Sequence, residues 1–380
     1  MKKLYWRPNR VSRVELFVIA VLSLSGLVAV ENFPQVQRRK HYQEKTAAAE
    51  LALEAMRELK GERQRRKIPI NEGSDPGRTG MIGDLLSPIA SNSGHLASKL
   101  SSVNPNFAAV MVHLLRQAGV RRGDLVAVGL SGSFPAINVA TYAALEAMQV
   151  KPVVIASASA SQFGATHPRF TWLDMESFLA KRHIFTSRSV AASLGGIDDR
   201  ALGLSNVGKS MLAQAIERAG VERVEPESYE DSVERRMRIY AEHANGRSYR
   251  AYINVGGGTA SVGTRVGKKL FRPGLNRSAP AGDVPDSVMF RFAQRGVPVI
   301  HMSSIIKIGT LFGLPTAPET MPVVGEGSVF ETSQYNPWLT AGVLLAIVII
   351  TTLFLRLHLG MRLGSALAAP RKRSAPSEMV

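Results

Sequence analysis

The stretch Asp124–Ala156, DLVAVGLSGSFPAINVATYAALEAMQVKPVVIA, decides the reading of this chain. After Asp124 it opens with an unbroken apolar run that ends at Ser131-Gly132-Ser133. A run of that length closed by small residues reads as a strand buried on both faces. Pro135–Met148 then carries apolar residues at helical spacing, with proline in the first turn, where its missing N–H costs nothing. Pro152–Ala156 is a second apolar run of strand length. Strand, helix and strand in succession make a βαβ unit, whose strands run parallel through a right-handed crossover.

The same alternation continues outward. Pro105–Ala118 has helical periodicity and stops at Gly119. Further helices are expected at Thr171–Ala180, Lys209–Ala219 and Tyr229–Ala244, and further strands at Arg250–Val255 and Val297–His301. The pattern predicts an α/β domain over 81–335, Rossmann-like and doubly wound around a mostly parallel sheet. Before it, Gln35–Gly61 is rich in Ala and Glu, with Ala48, Leu51, Ala52, Ala55, Met56 and Leu59 at helical spacing. That segment reads as an amphipathic stalk helix ended by Gly61, lying on the domain or pairing with a second copy of itself. The stalk and a basic linker fill 35–80, and a homo-oligomer is one outcome the stalk allows.

Both ends are apolar. Leu16–Val30, LFVIAVLSLSGLVAV, is free of charge and follows Lys2, Lys3, Arg7, Arg10 and Arg13. No A-x-A cleavage site closes it, so 1–34 reads as a cytoplasmic head and an uncleaved signal anchor rather than a removed leader. Trp338–Leu355, WLTAGVLLAIVIITTLFL, has eighteen uncharged residues and precedes Arg356, Arg362, Arg371, Lys372 and Arg373. It reads as a second span over 336–356, with 357–380 as a basic tail. Basic flanks favour the cytoplasmic side, which places both termini inside and the main domain outside a bacterial cytoplasmic membrane. The Arg38-Arg39-Lys40 cluster opposes that orientation, although long loops translocate largely regardless of charge.

The chain has 380 residues and no cysteine, which excludes a disulfide framework and thiolate metal sites. Ten of the 47 basic and two of the 30 acidic residues fall in 1–30 and 356–380, which leaves the middle at +9. A basic outer domain attracts anionic head groups or an acidic polymer. No motif supports nucleic-acid binding. No histidine pair or carboxylate cluster has metal spacing, so no metal and no cofactor is expected.

Three loops could carry chemistry. Ser131-Gly132-Ser133 joins a strand end to a helix start, with Ser133 as the expected N-cap, and offers hydroxyls and backbone N–H groups to an anion. Asn254-Val255-Gly256-Gly257-Gly258-Thr259 follows another strand, and its glycines allow close backbone approach to a ligand. The expected binding set is therefore Ser131, Gly132, Ser133, Asn254, Gly256, Gly257, Gly258 and Thr259, if the loops share one cleft. As an alternative, Ser131 is a nucleophile in an incomplete G-x-S-x-G pattern, with His167 as base and Asp174 as its orienter. The third loop, Gly203–Ser210 (GLSNVGKS), matches a P-loop letter for letter, but GGIDDRAL before it is not a buried strand.

Several segments together carry a family resemblance. GDLVAVGLSGSFPAINVA (Gly123–Ala140), FTWLDME (Phe170–Glu176), YINVGGGTASVG (Tyr252–Gly263) and GVPVIHM (Gly296–Met302) resemble the poly-gamma-glutamate system protein family, as do Ser87–Gly94 and Asn104–Val112. The resemblance covers most of the middle and includes the terminal spans. It implies a membrane component that accompanies the synthesis or export of poly-γ-glutamate, an anionic capsule polymer. It brings no established catalytic residues, and it argues against nucleotide triphosphate hydrolysis. The ATP-dependent amide ligation would belong to partner membrane components of the same complex. The leading expectation is an accessory protein that binds glutamyl carboxylate or polymer. A γ-glutamyl hydrolase or transferase with a serine nucleophile is the alternative, and a P-loop protein the second alternative.

Overall fold

The computed structural model describes residues 13–367, with side-chain surroundings given through 356. Lys2, Lys3, Arg7, Arg10 and the basic residues 371–373 of the tail lie outside the described residues. The chain divides into two units, residues 38–331 and the two ends 1–37 and 332–380.

The larger unit is mixed α/β around a seven-stranded, mostly parallel sheet. Its strands, in chain order, are β1 (Leu125–Ser131), β2 (Lys151–Ser157), β3 (Ser189–Ser193), β4 (Glu222–Val224), β5 (Tyr249–Val255), β6 (Gly274–Asn276) and β7 (Val299–Met302). They lie in the order β4-β3-β2-β1-β5-β7-β6, all parallel except β6, which runs antiparallel to β7. From β1 the chain steps outward to β4, then crosses back to the far side of β1 for β5. The carboxyl ends of β1 and β5 therefore flank the point where strand order reverses, the place where open parallel sheets leave a crevice.

Each central strand is buried on both faces, which is why β1 shows no polar alternation. Val126, Val128 and Leu130 join one apolar cluster with the helices Tyr42–Arg65, Phe107–Gln117, Pro135–Ala147 and Trp172–Lys181. Leu125 and Ala127 point to the other, built with Tyr229–Ala244 and Val288–Gln294. The crossovers after β1, β2 and β3 lie on the first face, and those leading to β5 and β7 on the second.

The βαβ unit stands as the sequence predicts, and Tyr229–Ala244 matches residue for residue. The stalk does not. Tyr42–Arg65 runs past Gly61, and Ala48, Ala49, Ala52, Ala55 and Leu59 are wholly buried. Small side chains let it lie close on Phe107–Gln117 and Pro135–Ala147, so it is a layer of the domain. Nothing stops it at Gly61, because a single glycine costs only about 1 kcal/mol against a face already paired with the core. The linker is also built into the domain. Arg63 donates to the carbonyls of Pro69, Gly80 and Ile82, and Asp75 accepts from Thr79 and from the N–H of Gly80.

The second unit holds two helices, Arg13–Asn32 and Pro337–Leu367, each with a segment long and apolar enough to cross a bilayer. They touch where Gly26 meets Val343: a Cβ at Gly26 would fall 2.3 Å from Val343 Cγ1. Close approach through a glycine is how apolar helices associate when burial from water offers no gradient.

Candidate functional site

The crevice at the strand-order reversal is a cleft of about 440 Å³. Its lining includes Ser131, Ser133 and Phe134 after β1, Ser157, Ser159 and Ser161 at and after β2, Gly256–Gly258 after β5, and Met302–Ser304 at and after β7. The two loops expected to converge do so. A Cβ at Gly256, whose φ is +97°, would sit 2.1 Å from Ser131 Oγ, so only glycine admits the contact.

The fourth wall comes from a distant segment. Ala90–Asn92 pairs in parallel with Ala160–Ser161 and brings Ser91–Ser98 across the mouth. Gly94 lies so close to Gln162 that a Cβ would meet its carbonyl oxygen at 2.1 Å. The short helix Leu96–Ser102 follows and delivers Lys99 into the cleft. Lys99 is 2% exposed, and its Nζ donates to Ser161 Oγ at 2.8 Å and to the carbonyl oxygen of Ser133. The ammonium also lies 4.1 Å from the centroid of the Phe134 ring. Burial, with a smaller push from the charge of Lys268, lowers Lys99 to about 7.

The charge of the lining is one-sided. It carries ten serines, Thr264, His95, Lys99, Arg265 and Lys268, and among the described residues no Asp or Glu lines it. An acid does sit in the floor, but it is spent. Asp199 is paired with Arg236 at 2.7 Å, both side chains are at most 2% exposed, and the hydroxyls of Ser193 and Ser232 donate to the same carboxylate. Burial pushes the Asp199 carboxyl up, but Arg236 and the hydroxyls prevail and hold it below the usual carboxylate range. Arg236 Nη2 also donates to Ser157 Oγ at 3.1 Å, which fixes the cleft floor.

Of the expected binding set, Ser131, Ser133, Gly256, Gly257 and Gly258 line the cleft. Gly132, Asn254 and Thr259 stand behind it. The N–H of Gly132 is taken by the carbonyls of Ser157 and Ser159, and Thr259 Oγ1 donates to the carbonyl of Gly196 at 2.7 Å. Asn254 is 1% exposed and donates to the carbonyl of Gly256 and to His301 Nδ1, so it shapes the glycine loop from beneath. His301 is itself wholly buried, and burial lowers it to about 4, so it is a neutral imidazole. Ser133 is not the helix cap. Phe134 holds that position, with φ −133° and ψ 71°, and Ser133 Oγ instead accepts the N–H of Ser161 at 3.1 Å.

The expected Ser131–His167–Asp174 set is not brought together. His167 lies outside the cleft lining, and its Nδ1 accepts the N–H of Arg169. Asp174 closes a capping box with Thr171 and binds Arg218 at 3.0 Å. Its acidity serves a helix start. The P-loop reading fails on geometry as well. Ser205 caps a helix that begins at Asn206, so Val207, Gly208 and Lys209 are already helical and offer no open phosphate cradle. Gly208 faces the carbonyl of Pro88, which a Cβ would meet at 2.1 Å.

Lys99, Arg265, Lys268, Ser157, Ser159 and Ser161 were not among the expected residues. One signal was present: Ser157-Ala-Ser-Ala-Ser161 alternates hydroxyls and methyls directly after an apolar strand. Among the described residues, no group of three or more His, Cys, Asp or Glu side chains is placed to hold a metal ion. What the arrangement offers is hydroxyl donors, three cations and a backbone glycine loop around a space the size of a small ligand, suited to an oxyanion. Comparison with family models, with curated proteins and with solved structures finds no match to this chain.

Proposed function

We propose that this protein is a membrane-anchored accessory component of poly-γ-glutamate biosynthesis or export whose α/β domain binds glutamyl carboxylates or a polymer end. The observation that carries the reading is the cleft at the β1/β5 reversal, lined by Lys99, Arg265, Lys268 and ten serines and, among the described residues, by no carboxylate. Such a lining favours an anion and repels none of its charge. The crossover pattern supports a Rossmann-like, doubly wound assignment, in which ligands sit at this same reversal. The segments resembling poly-gamma-glutamate system proteins supply the polymer, and the +9 charge of residues 31–355 supports a polyanionic partner.

In this reading both apolar helices cross the cytoplasmic membrane and the domain faces outward, where other membrane components of the synthesis complex deliver the polymer. Calorimetric titration of the full chain in detergent with γ-linked glutamate oligomers tests the site. Reversing one charge with Lys268→Glu should weaken binding at least about tenfold, worth ~1.4 kcal/mol. Equal affinity of the variant, or no heat from the native protein, overturns the assignment. A protease-protection assay with a tag near residue 200 tests the orientation, and a cytoplasmic tag refutes it.

A further inference from the structure

We propose that Ser161 and Lys99 form a nucleophile–base pair, and that the cleft performs acyl transfer on esters or amides whose acyl group carries a carboxylate. This goes beyond binding. Among the strand-end hydroxyls of the described residues, only that of Ser161 bonds to an amine. Ser157 Oγ accepts from Arg236, and Ser133 Oγ accepts the N–H of Ser161. Ser131 Oγ lies against Gly256 and accepts a long bond, 3.4 Å, from the N–H of Ser133. Ser161 Oγ lines the cleft and lies 2.8 Å from Lys99 Nζ.

The pair is held on both sides. Ser161 is fixed by the strand pairing of Ala160–Ser161 with Ala90–Asn92 and by the bond from its N–H to Ser133. Lys99 is 2% exposed and is tied to the carbonyl of Ser133 and the face of Phe134. Among the described residues no carboxylate pairs with it. Lys268 and Arg265 on the helix Thr264–Leu270 share its cleft, as does the titratable ring of His95 just before its own helix. An amine that is buried, unpaired with acid and lowered to about 7 is half neutral near physiological pH, which is what a general base for a hydroxyl requires.

The chemistry balances with the groups present and water. Neutral Lys99 takes the hydroxyl proton as Ser161 Oγ bonds to the acyl carbon, and the carbonyl π bond opens to an oxyanion. Collapse restores the carbonyl and breaks the bond to the leaving oxygen or nitrogen, which takes the proton from Lys99. Water then attacks the Ser161 ester, giving its proton to Lys99, and the acid leaves as Ser161 Oγ recovers that proton. With an amine or hydroxyl acceptor in place of water, the same steps transfer the acyl group. Lys268 and Arg265 supply charge for the carboxylate of the substrate, which selects the acyl class.

The test uses the full chain in detergent with the mono-p-nitrophenyl ester of glutaric acid. The expected result is release of about one p-nitrophenolate per protein within the first turnover and a glutaryl adduct on Ser161 by peptide mass spectrometry. The acylation rate should rise through pH ~7 with Lys99 deprotonation. Ser161→Ala should abolish the adduct and Lys99→Met should slow its formation at least about 100-fold, while His167→Ala, outside the cleft, should leave the pH profile unchanged. No adduct on Ser161 in the native protein overturns the proposal, as does an adduct formed equally fast by a folded Lys99→Met variant. Oligomer binding without acylation refutes the pair and leaves the binding reading intact. Acylation without oligomer binding does the reverse.

Discussion

Removing Lys99 should change how stability depends on pH. In the folded protein the ammonium sits at about 7, against an ordinary value of 10.5. Between those two values the unfolded chain holds a proton that the folded chain has released. The unfolded state then binds more protons, so stability rises with pH across this window. Below pH ~7 the charged amine is buried at full cost, about 5 kcal/mol, since each tenfold change in proton affinity is worth ~1.4 kcal/mol. Lys99→Met abolishes that dependence. It also leaves the Ser133 carbonyl and Ser161 hydroxyl without their donor, a loss of about 1–3 kcal/mol that does not vary with pH. Chemical denaturation followed by the fluorescence of buried Trp172 measures both proteins. From pH ~7 to ~9.5 the native protein should gain about 3 kcal/mol relative to the variant. Taking the difference cancels Lys45 and His113, which titrate in both. A difference flat across that range would refute a buried, partly neutral Lys99.

The other predictions concern the walls of the cleft. Arg236→Met strands the Asp199 carboxylate in the core and should destabilise the domain by about 3–5 kcal/mol, read as a lower denaturation midpoint with unchanged slope. Loss under about 1 kcal/mol would mean that the pair is not closed in solution. Gly256→Ala drives a methyl into Ser131 Oγ at a φ of +97° and should eliminate oligomer binding before it unfolds the domain, which calorimetry and denaturation separate. His167→Ala should change neither binding nor acylation, because the ring lies outside the cleft. A drop of tenfold or more in either would return His167 to the site.

Legibility in the sequence followed the range of the forces. The βαβ unit was readable because β1 and β2 are buried on both faces, so unbroken apolar runs mark them without any tertiary knowledge. β3, Ser189–Ser193, was not, since SVAAS carries small residues that identify a strand only beside Val154–Ser157. The tight turn at Ser131-Gly132-Ser133 and the glycines after β5 declared themselves through local chemistry. Their meeting depends on strand order, which the alternation of elements left open. Asp174 misled for an instructive reason: T-W-L-D is the signature of a helix start, and the capping geometry accounts for its carboxylate before any catalysis is invoked.

Lys99 was illegible for a deeper reason. In Leu96–Ser102, LASKLSS, it looks like a solvated lysine on a short polar helix. Its burial is decided by Ala90–Asn92 docking on Ala160–Ser161, a pairing of few residues that no periodicity announces. A fold optimised only for stability would not keep it there. A charged amine in that position costs several kcal/mol, whereas the hydroxyl and carbonyl it contacts could be satisfied by a smaller neutral donor. The Asp199–Arg236 pair beneath the same cleft sharpens the contrast, because there the domain supplies a matched counter-ion to a buried charge. The cleft thus contains a carboxylate with its charge neutralised and a lysine with its charge unanswered. A carboxylate held by Lys268 and Arg265 would offset the Lys268 charge that helps lower Lys99, so Lys99 would rise above its unliganded value and draw in a proton as the anion binds. Binding of glutamate oligomers above pH ~7 should therefore take up protons, measurable as a dependence of calorimetric heat on buffer ionisation enthalpy. Heat independent of the buffer at pH ~8 would mean that the anion does not reach Lys99.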